Sequence, residues 1–282
     1  MTVYDAAVEE RRAAYIPTVL TIAGTDPSGG AGISADLKTF SALGAFGTAV
    51  ITAVVTQNTQ GVAGIHQLDG PTVAGQLTNL LDDVHVDAIK IGMLGTAEVI
   101  EAVAGVIQAR KPGPIVLDPV MVAKSGHRLL APDAVKALRD KLIPLVDLVT
   151  PNLPEAADLL GMAEATSAAE MMRQVHALAE LAPGVLLKGG HLEGPESTDL
   201  LLVDGRTTEL DAPRVATRNT HGTGCTLSSA IAALRPQRDS WLDAVRDAKT
   251  YLTGALRAAD DLSIGSGHGP VHHFWQLWPG QV

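Results

Sequence analysis

Cysteine is all but absent from this chain: Cys225 stands alone among 282 residues. One thiol excludes an internal disulfide framework and a cysteine-based zinc cluster, and it accords with a reducing cytoplasm. Positive charge is scarce as well, with 21 Lys and Arg against 31 Asp and Glu and a formal net charge of -10. That balance argues against nucleic acid and against an anionic membrane surface, both of which need clustered basic residues. A small anionic ligand is still allowed, because a few backbone N–H groups and one or two lysines suffice to hold it. Long apolar runs are missing too. The longest, Thr48–Val55 and Ile115–Val122, are strand-sized and too short to span a bilayer. The first seventeen residues carry Glu9, Glu10, Arg11 and Arg12, show no apolar signal core, and read as a short appended helix or tail. No internal repeat, low-complexity tract or linker interrupts residues 18–282, which read as one continuous domain.

What is present is alternation. β-Branched or apolar runs at Thr18–Ala23, Thr48–Thr56, Ala88–Ile91, Ile115–Leu117, Leu148–Thr150, Val185–Leu187 and Leu200–Val203 read as strands. Helical spacing follows at Ser34–Leu43, Gly75–Val84 and Ala97–Ala109, and again at Pro132–Leu142. Strand-then-helix order predicts an α/β protein with a mainly parallel sheet covered on both faces. Ligands of such sheets bind where the chain leaves the C-terminal strand ends. The segments at those exits are GTDPSGGAG (Gly24–Gly32), TQNT (Thr56–Thr59), GML (Gly92–Leu94), DPVMVAKSG (Asp118–Gly126), PNLPE (Pro151–Glu155), KGGH (Lys188–His191) and NTHGTGC (Asn219–Cys225).

The last segment carries the most chemistry. Gly222 and Gly224 precede a helical run, Thr226–Leu234, so the unpaired amides of Gly222, Thr223, Gly224 and Cys225 can face a phosphoryl oxygen at the positive end of a helix. The same field predicts a Cys225 thiolate able to take a proton from an alcohol; the alternative is a tight entry to a core helix with Cys225 as a small buried residue. Gln57 presents an acceptor and two donors, suited to a pyrimidine edge or to closing a turn. Asp118, with the Asn152–Glu155 turn, offers hard oxygen ligands of the kind Mg²⁺ prefers, or plain turn chemistry. Lys124, Ser125 and Gly126 have the composition of a closing lid. Walker and dinucleotide fingerprints are both missing: Ile33, not lysine, follows Gly32, and GxGxxG spacing is absent. The histidines of GHGPVHH lack the spacing of a metal site and read as structural.

Taken in order, TIAGTDPSGGAGISAD, TQNTQGV, KIGML, VLDPVMVAKSG, TPNLPEA, LLKGGH, NTHGTGCTLSSAIAA and GHGPVHH resemble the bacterial hydroxymethylpyrimidine and phosphomethylpyrimidine kinases over about residues 18 to 275. The resemblance implies a ribokinase-like three-layer α/β/α sandwich and two successive ATP-dependent phosphorylations, first of 4-amino-5-hydroxymethyl-2-methylpyrimidine and then of its monophosphate, for thiamine diphosphate. It implies ATP and Mg²⁺ as cofactors and a homodimer. It points to Cys225 as the base, where sugar kinases of the superfamily carry aspartate. By the same resemblance Gln57, Met93, Gly24, Ala31, Asp36 and Val120 surround the substrate. Lys188 and Asn152 meet the nucleotide, and Asp118 and Glu155 order magnesium and phosphate. Two alternatives share the fold: a pyridoxal kinase, against which Gln57 and Met93 weigh, and a noncatalytic vitamer-binding protein, against which Cys225, Asp118, Glu155 and Lys188 weigh together.

Overall fold

The computed structural model describes residues 15–121, 130–190, 192 and 194–278. Consecutive residues of each inner strand serve opposite faces, as strand geometry requires. In β1 (Thr18–Ala23) Val19 joins one core and Leu20 the other; Ala88 and Ile89 of β5 (Ala88–Ile91), Val116 and Leu117 of β6 (Ile115–Leu117), and Leu148 and Val149 of β7 (Leu148–Val149) divide the same way. Two hydrophobic cores on one sheet demand helices on both sides. The first core is closed by α2 (Gly70–Asp83), α3 (Ala97–Arg110), α4 (Pro132–Ala137), α5 (Leu153–Leu160) and α6 (Ala168–Leu178). The second is closed by α1 (Gly32–Ala42), α7 (Thr223–Leu234) and α8 (Trp241–Arg257).

The eight-stranded sheet runs β10-β9-β8-β7-β6-β5-β1-β2, with β2 at Phe46–Ile51, β8 at Val185–Leu187, β9 at Asp199–Val203 and β10 at Arg206–Leu210. All its pairings are parallel except β8 with β9 and β9 with β10. This is the three-layer α/β/α architecture expected from the sequence.

The single strand expected over residues 48–56 is two strands. The chain breaks at Thr52, whose amide bonds Ala23 O at 3.0 Å and whose hydroxyl donates to Met93 O at 2.7 Å. Beyond it, β3 (Ala53–Asn58) leaves the main sheet and pairs antiparallel with β4 (Gly61–Gln67). The hairpin to β10 turns on Asp204 and Gly205, both at positive φ, the Asp-Gly pair that favours a two-residue hairpin turn. Helix α2 starts five residues before the expected Gly75, because Asp69 caps it by accepting from Thr72 N at 2.7 Å. Asn152–Glu155, read as a turn, is the start of α5. The Asn152 side chain accepts from Glu155 N and the Glu155 carboxylate accepts from Asn152 N, each at 2.9 Å, a complete capping box.

Candidate active site

The exits of β1, β5, β6, β7 and β8 meet the N-terminus of α7 around a cavity of about 490 Å³. Gly24 and Ala31 come from the first loop and Met93 from the second; Asp118 and Val120 follow β6, and Asn152 and Glu155 begin α5. Lys188 and Gly222–Cys225 close the far wall. A Cβ on Gly24 would stand 2.6 Å from Met93 Cε, so glycine there leaves room for the methionine wall. Gln57 also lines the cavity, but from β3 of the hairpin rather than from a main-sheet exit loop. Asp36 departs from its expected place. Its carboxylate is buried away from the lining, held by Thr21 Oγ1 at 2.6 Å, Ser229 Oγ at 2.7 Å and Lys90 Nζ at 2.8 Å.

Gly222 caps α7 with φ of 78°, and Thr226 N returns to its carbonyl at 2.8 Å. Only glycine suits the position, since the left-handed backbone disfavours a side chain and a Cβ would overlap the Gly30 carbonyl oxygen. One residue pair further, a Cβ on Gly224 would stand 3.4 Å from both Asp118 Oδ2 and Lys188 Nζ. The first amides of α7 therefore open beside a carboxylate and an ammonium.

Lys188 Nζ donates to Asp118 Oδ1 at 3.0 Å. Burial works against its charge, but Asp118 and Glu155 outweigh that and keep it an ammonium. Burial pushes Glu155 up to about 7, with Lys188 opposing and Asp118 adding to the rise. Two carboxylates that press on each other at one cavity wall fit a hard divalent cation. Among the described residues no group of three or more His, Cys, Asp or Glu is arranged to hold one, so phosphate oxygens and waters would have to complete the shell.

Burial pushes the Cys225 thiol up to about 11, despite the opposing Lys90 ammonium. The expected resting thiolate is thus corrected: the helix field is outweighed by desolvation of a thiolate among Asp36 and Asp118. The lining also includes Lys90, Asp26 and His221, to which the sequence pattern assigned no role. Lys90 rises from β5, an inner strand paired with β1 and β6. Asp26 accepts from Ser28 N, Gly30 N, Ala31 N and His221 Nε2, the last at 2.9 Å, and so ties the first loop to the segment that leads into α7. Burial raises Asp26, yet hydrogen bonds from His221, Ser28 and Gln57 hold it well below the usual carboxylate range. A lysine inside the apolar run AIKI was the one available signal for Lys90. Lys124–Gly126 and His191 lie outside the described residues.

A second cavity of about 410 Å³ adjoins the first and shares Asn152, Lys188, Thr220, Thr223 and Gly224 with it. Its remaining walls include Arg214 and Val215 on one side and Leu252 and Leu256 of α8 on the other. Two ligands can therefore meet end to end at Lys188 and Gly224.

A family model described as phosphomethylpyrimidine kinase matches residues 26–272. The hydroxymethylpyrimidine/phosphomethylpyrimidine kinase of Escherichia coli (strain K12) is 54% identical over 260 residues, covering 92% of this chain and 98% of that protein. Its counterpart in Rhizobium meliloti (strain 1021) is 51% identical, covering 92% and 97%. Among solved structures, Bacillus subtilis pyridoxal kinase in complex with ADP superposes with a TM-score of 0.86 at 34% identity, covering 94% of this chain and 100% of that one. Phosphomethylpyrimidine kinase from Clostridium difficile 630 gives a TM-score of 0.75 at 39% identity, covering 85% and 99%.

Proposed function

This chain belongs to the phosphomethylpyrimidine kinase family, and from that premise we propose that it phosphorylates 4-amino-5-hydroxymethyl-2-methylpyrimidine with ATP, then phosphorylates the monophosphate to the diphosphate that thiamine assembly consumes. The observation that carries this reading is the pair of cavities joined at Lys188 and Gly224, directly at the N-terminus of α7. A phosphoryl group passing between them would meet the first turn of α7, where Thr223 N makes only a long bond to Thr220 O at 3.4 Å, and the half-buried ammonium of Lys188.

The chain's own residues supply position and charge, as phosphoryl transfer requires. Gln57 meets the pyrimidine edge, with Met93, Gly24, Ala31 and Val120 shaping the walls around the ring. Asp36 acts from beneath this wall through Lys90. The amides of Gly222, Thr223, Gly224 and Cys225 receive charge on the moving phosphoryl group, and Cys225 takes the hydroxymethyl proton. Lys188 and Asn152 hold nucleotide phosphate. Asp118 and Glu155 would hold Mg²⁺, which would neutralise phosphate charge. We assign the activity to residues 18–282. The protein is read as a cytoplasmic homodimer; among the described residues no helix is long and apolar enough to cross a membrane, and the exposed Phe46, Val54 and Ile65 on β2, β3 and β4 support pairing with a second copy.

The product profile tests the assignment. With ATP, Mg²⁺ and the pyrimidine alcohol, the protein is expected to release ADP and to carry the alcohol through to the diphosphate. Accumulation of monophosphate alone would leave only the first step standing, and no ADP at all would make the protein a binder. The structural likeness to pyridoxal kinases makes pyridoxal the comparison substrate; a higher kcat/KM for pyridoxal than for the pyrimidine would transfer the assignment to that vitamer.

A further inference from the structure

The second face of β5 contains an anomaly. Alternation sends Ile89 and Ile91 into the first core and Ala88 into the second, toward α7. Lys90 shares the Ala88 side and is fully buried, yet it lines the acceptor cavity. Its Nζ lies 2.9 and 2.8 Å from the two oxygens of Asp36. Asp36 is in turn fixed from β1 by Thr21 and from α7 by Ser229. Ser229 is four residues after Cys225, so the two share one face of α7 one turn apart. The ion pair is thereby seated on the helix face that carries the thiol.

Fold stability does not account for this pair. A buried ion pair generally stabilises no better than apolar side chains of equal volume, because desolvation offsets the attraction. Its placement at the cavity wall beside Cys225 calls for another use. The charged groups facing Cys225 are Lys90 from β5, Asp36 from α1 and Asp118 from the β6 exit, with Lys188 from the β8 exit also interacting. Burial and the two carboxylates oppose a thiolate; of the charges, Lys90 acts most strongly, and it acts in favour of one.

We propose that Lys90 is a positioning residue for the transfer step: anchored by Asp36, its ammonium is the fixed positive charge against which Cys225 carries negative charge when it receives the hydroxymethyl proton. The inference rests on Cys225 as proton acceptor, and it extends that reading to the Lys90–Asp36 pair. Lys90 itself keeps its proton. Burial opposes the ammonium, but Asp36, Cys225 and Asp118 together raise the group above its ordinary value, which suits a permanent charge and not a proton shuttle.

Because Cys225 is the only cysteine, iodoacetamide reports on this thiol alone, and its rate follows the thiolate fraction. The full chain, without nucleotide, is to be alkylated over a range of pH as wild type, Lys90→Met, Asp36→Asn and the double variant. The double variant strands no buried charge, so it keeps the test open if Lys90→Met does not fold. Lys90→Met is expected to react about tenfold more slowly at a given pH, one unit of thiol acidity, with the midpoint moved up; the double variant is expected to react more slowly than wild type by a smaller factor, because loss of Asp36 offsets part of the loss of Lys90. Asp36→Asn is expected to react faster. For each variant, kcat should follow the alkylation rate while KM for ATP stays near wild type. A folded double variant with wild-type alkylation, or Asp36→Asn and Lys90→Met shifted in the same direction, overturns the proposal and leaves the pair a structural one. A wild-type protein that fails to phosphorylate the pyrimidine would instead sink the assigned function and leave the alkylation result intact.

Discussion

Cys225→Ala is expected to lower kcat for the pyrimidine alcohol by about 10² to 10⁴, the usual contribution of a positioned general base, with KM for ATP nearly unchanged. The variant removes one sulfur and leaves the amides of α7, Lys188 and the Asp118 pair in place, so nucleotide binding should persist. The pH profile carries the sign. With the thiol pushed up to about 11, the thiolate is a minority of about one part in 10⁴ at neutral pH, growing tenfold for each unit of rising pH. Wild-type kcat should therefore climb through the neutral and alkaline range without levelling below the thiol's own value. The alanine variant should lose that slope. A variant that turns over near the wild-type rate removes Cys225 from the mechanism. Intact-mass measurement during turnover separates base from nucleophile, since only a nucleophile would leave a phosphorylated protein.

The second large effect is expected from Gly222→Ala. Its left-handed φ costs a non-glycine residue about 1–2 kcal/mol, and the added Cβ would overlap the Gly30 carbonyl oxygen, adding about 1–3 kcal/mol of overpacking. The two loops must part, and the Gly222–Cys225 turn moves with them. Displacement of about 1 Å at a reacting centre can cost roughly 10² in rate. We expect a lowered unfolding midpoint in denaturant together with at least that loss in kcat. Undiminished stability and activity would mean that the Gly30–Gly222 contact does not fix the turn. Gly224→Ala is the internal comparison: its Cβ would meet Asp118 and Lys188 at 3.4 Å, ordinary contact distance, so its effect should fall on phosphate handling rather than on folding.

The sequence determined by itself whatever depends on local pattern and on order along the chain. Period-two and helical spacing placed β1, β5, β6 and β8, and the glycines before a helical run marked the α7 turn, because each signal is complete within a few residues. The ordered blocks carried the family resemblance for the same reason. Tertiary structure decided what depends on where separate segments meet. The break at Thr52 comes from bonds to Ala23 and Met93, partners distant in the chain, so no local period betrays that Gln57 reaches the cavity from a hairpin. The family resemblance puts Asp36 in the pocket, but the fold buries its carboxylate against Lys90. The Cys225 thiol illustrates the limit most directly: a helix N-terminus read alone favours the thiolate, but burial and two carboxylates brought in from α1 and β6 reverse the sign. Electrostatic free energy depends on every neighbour within a few ångströms and on solvent exclusion, and both are properties of the packed molecule.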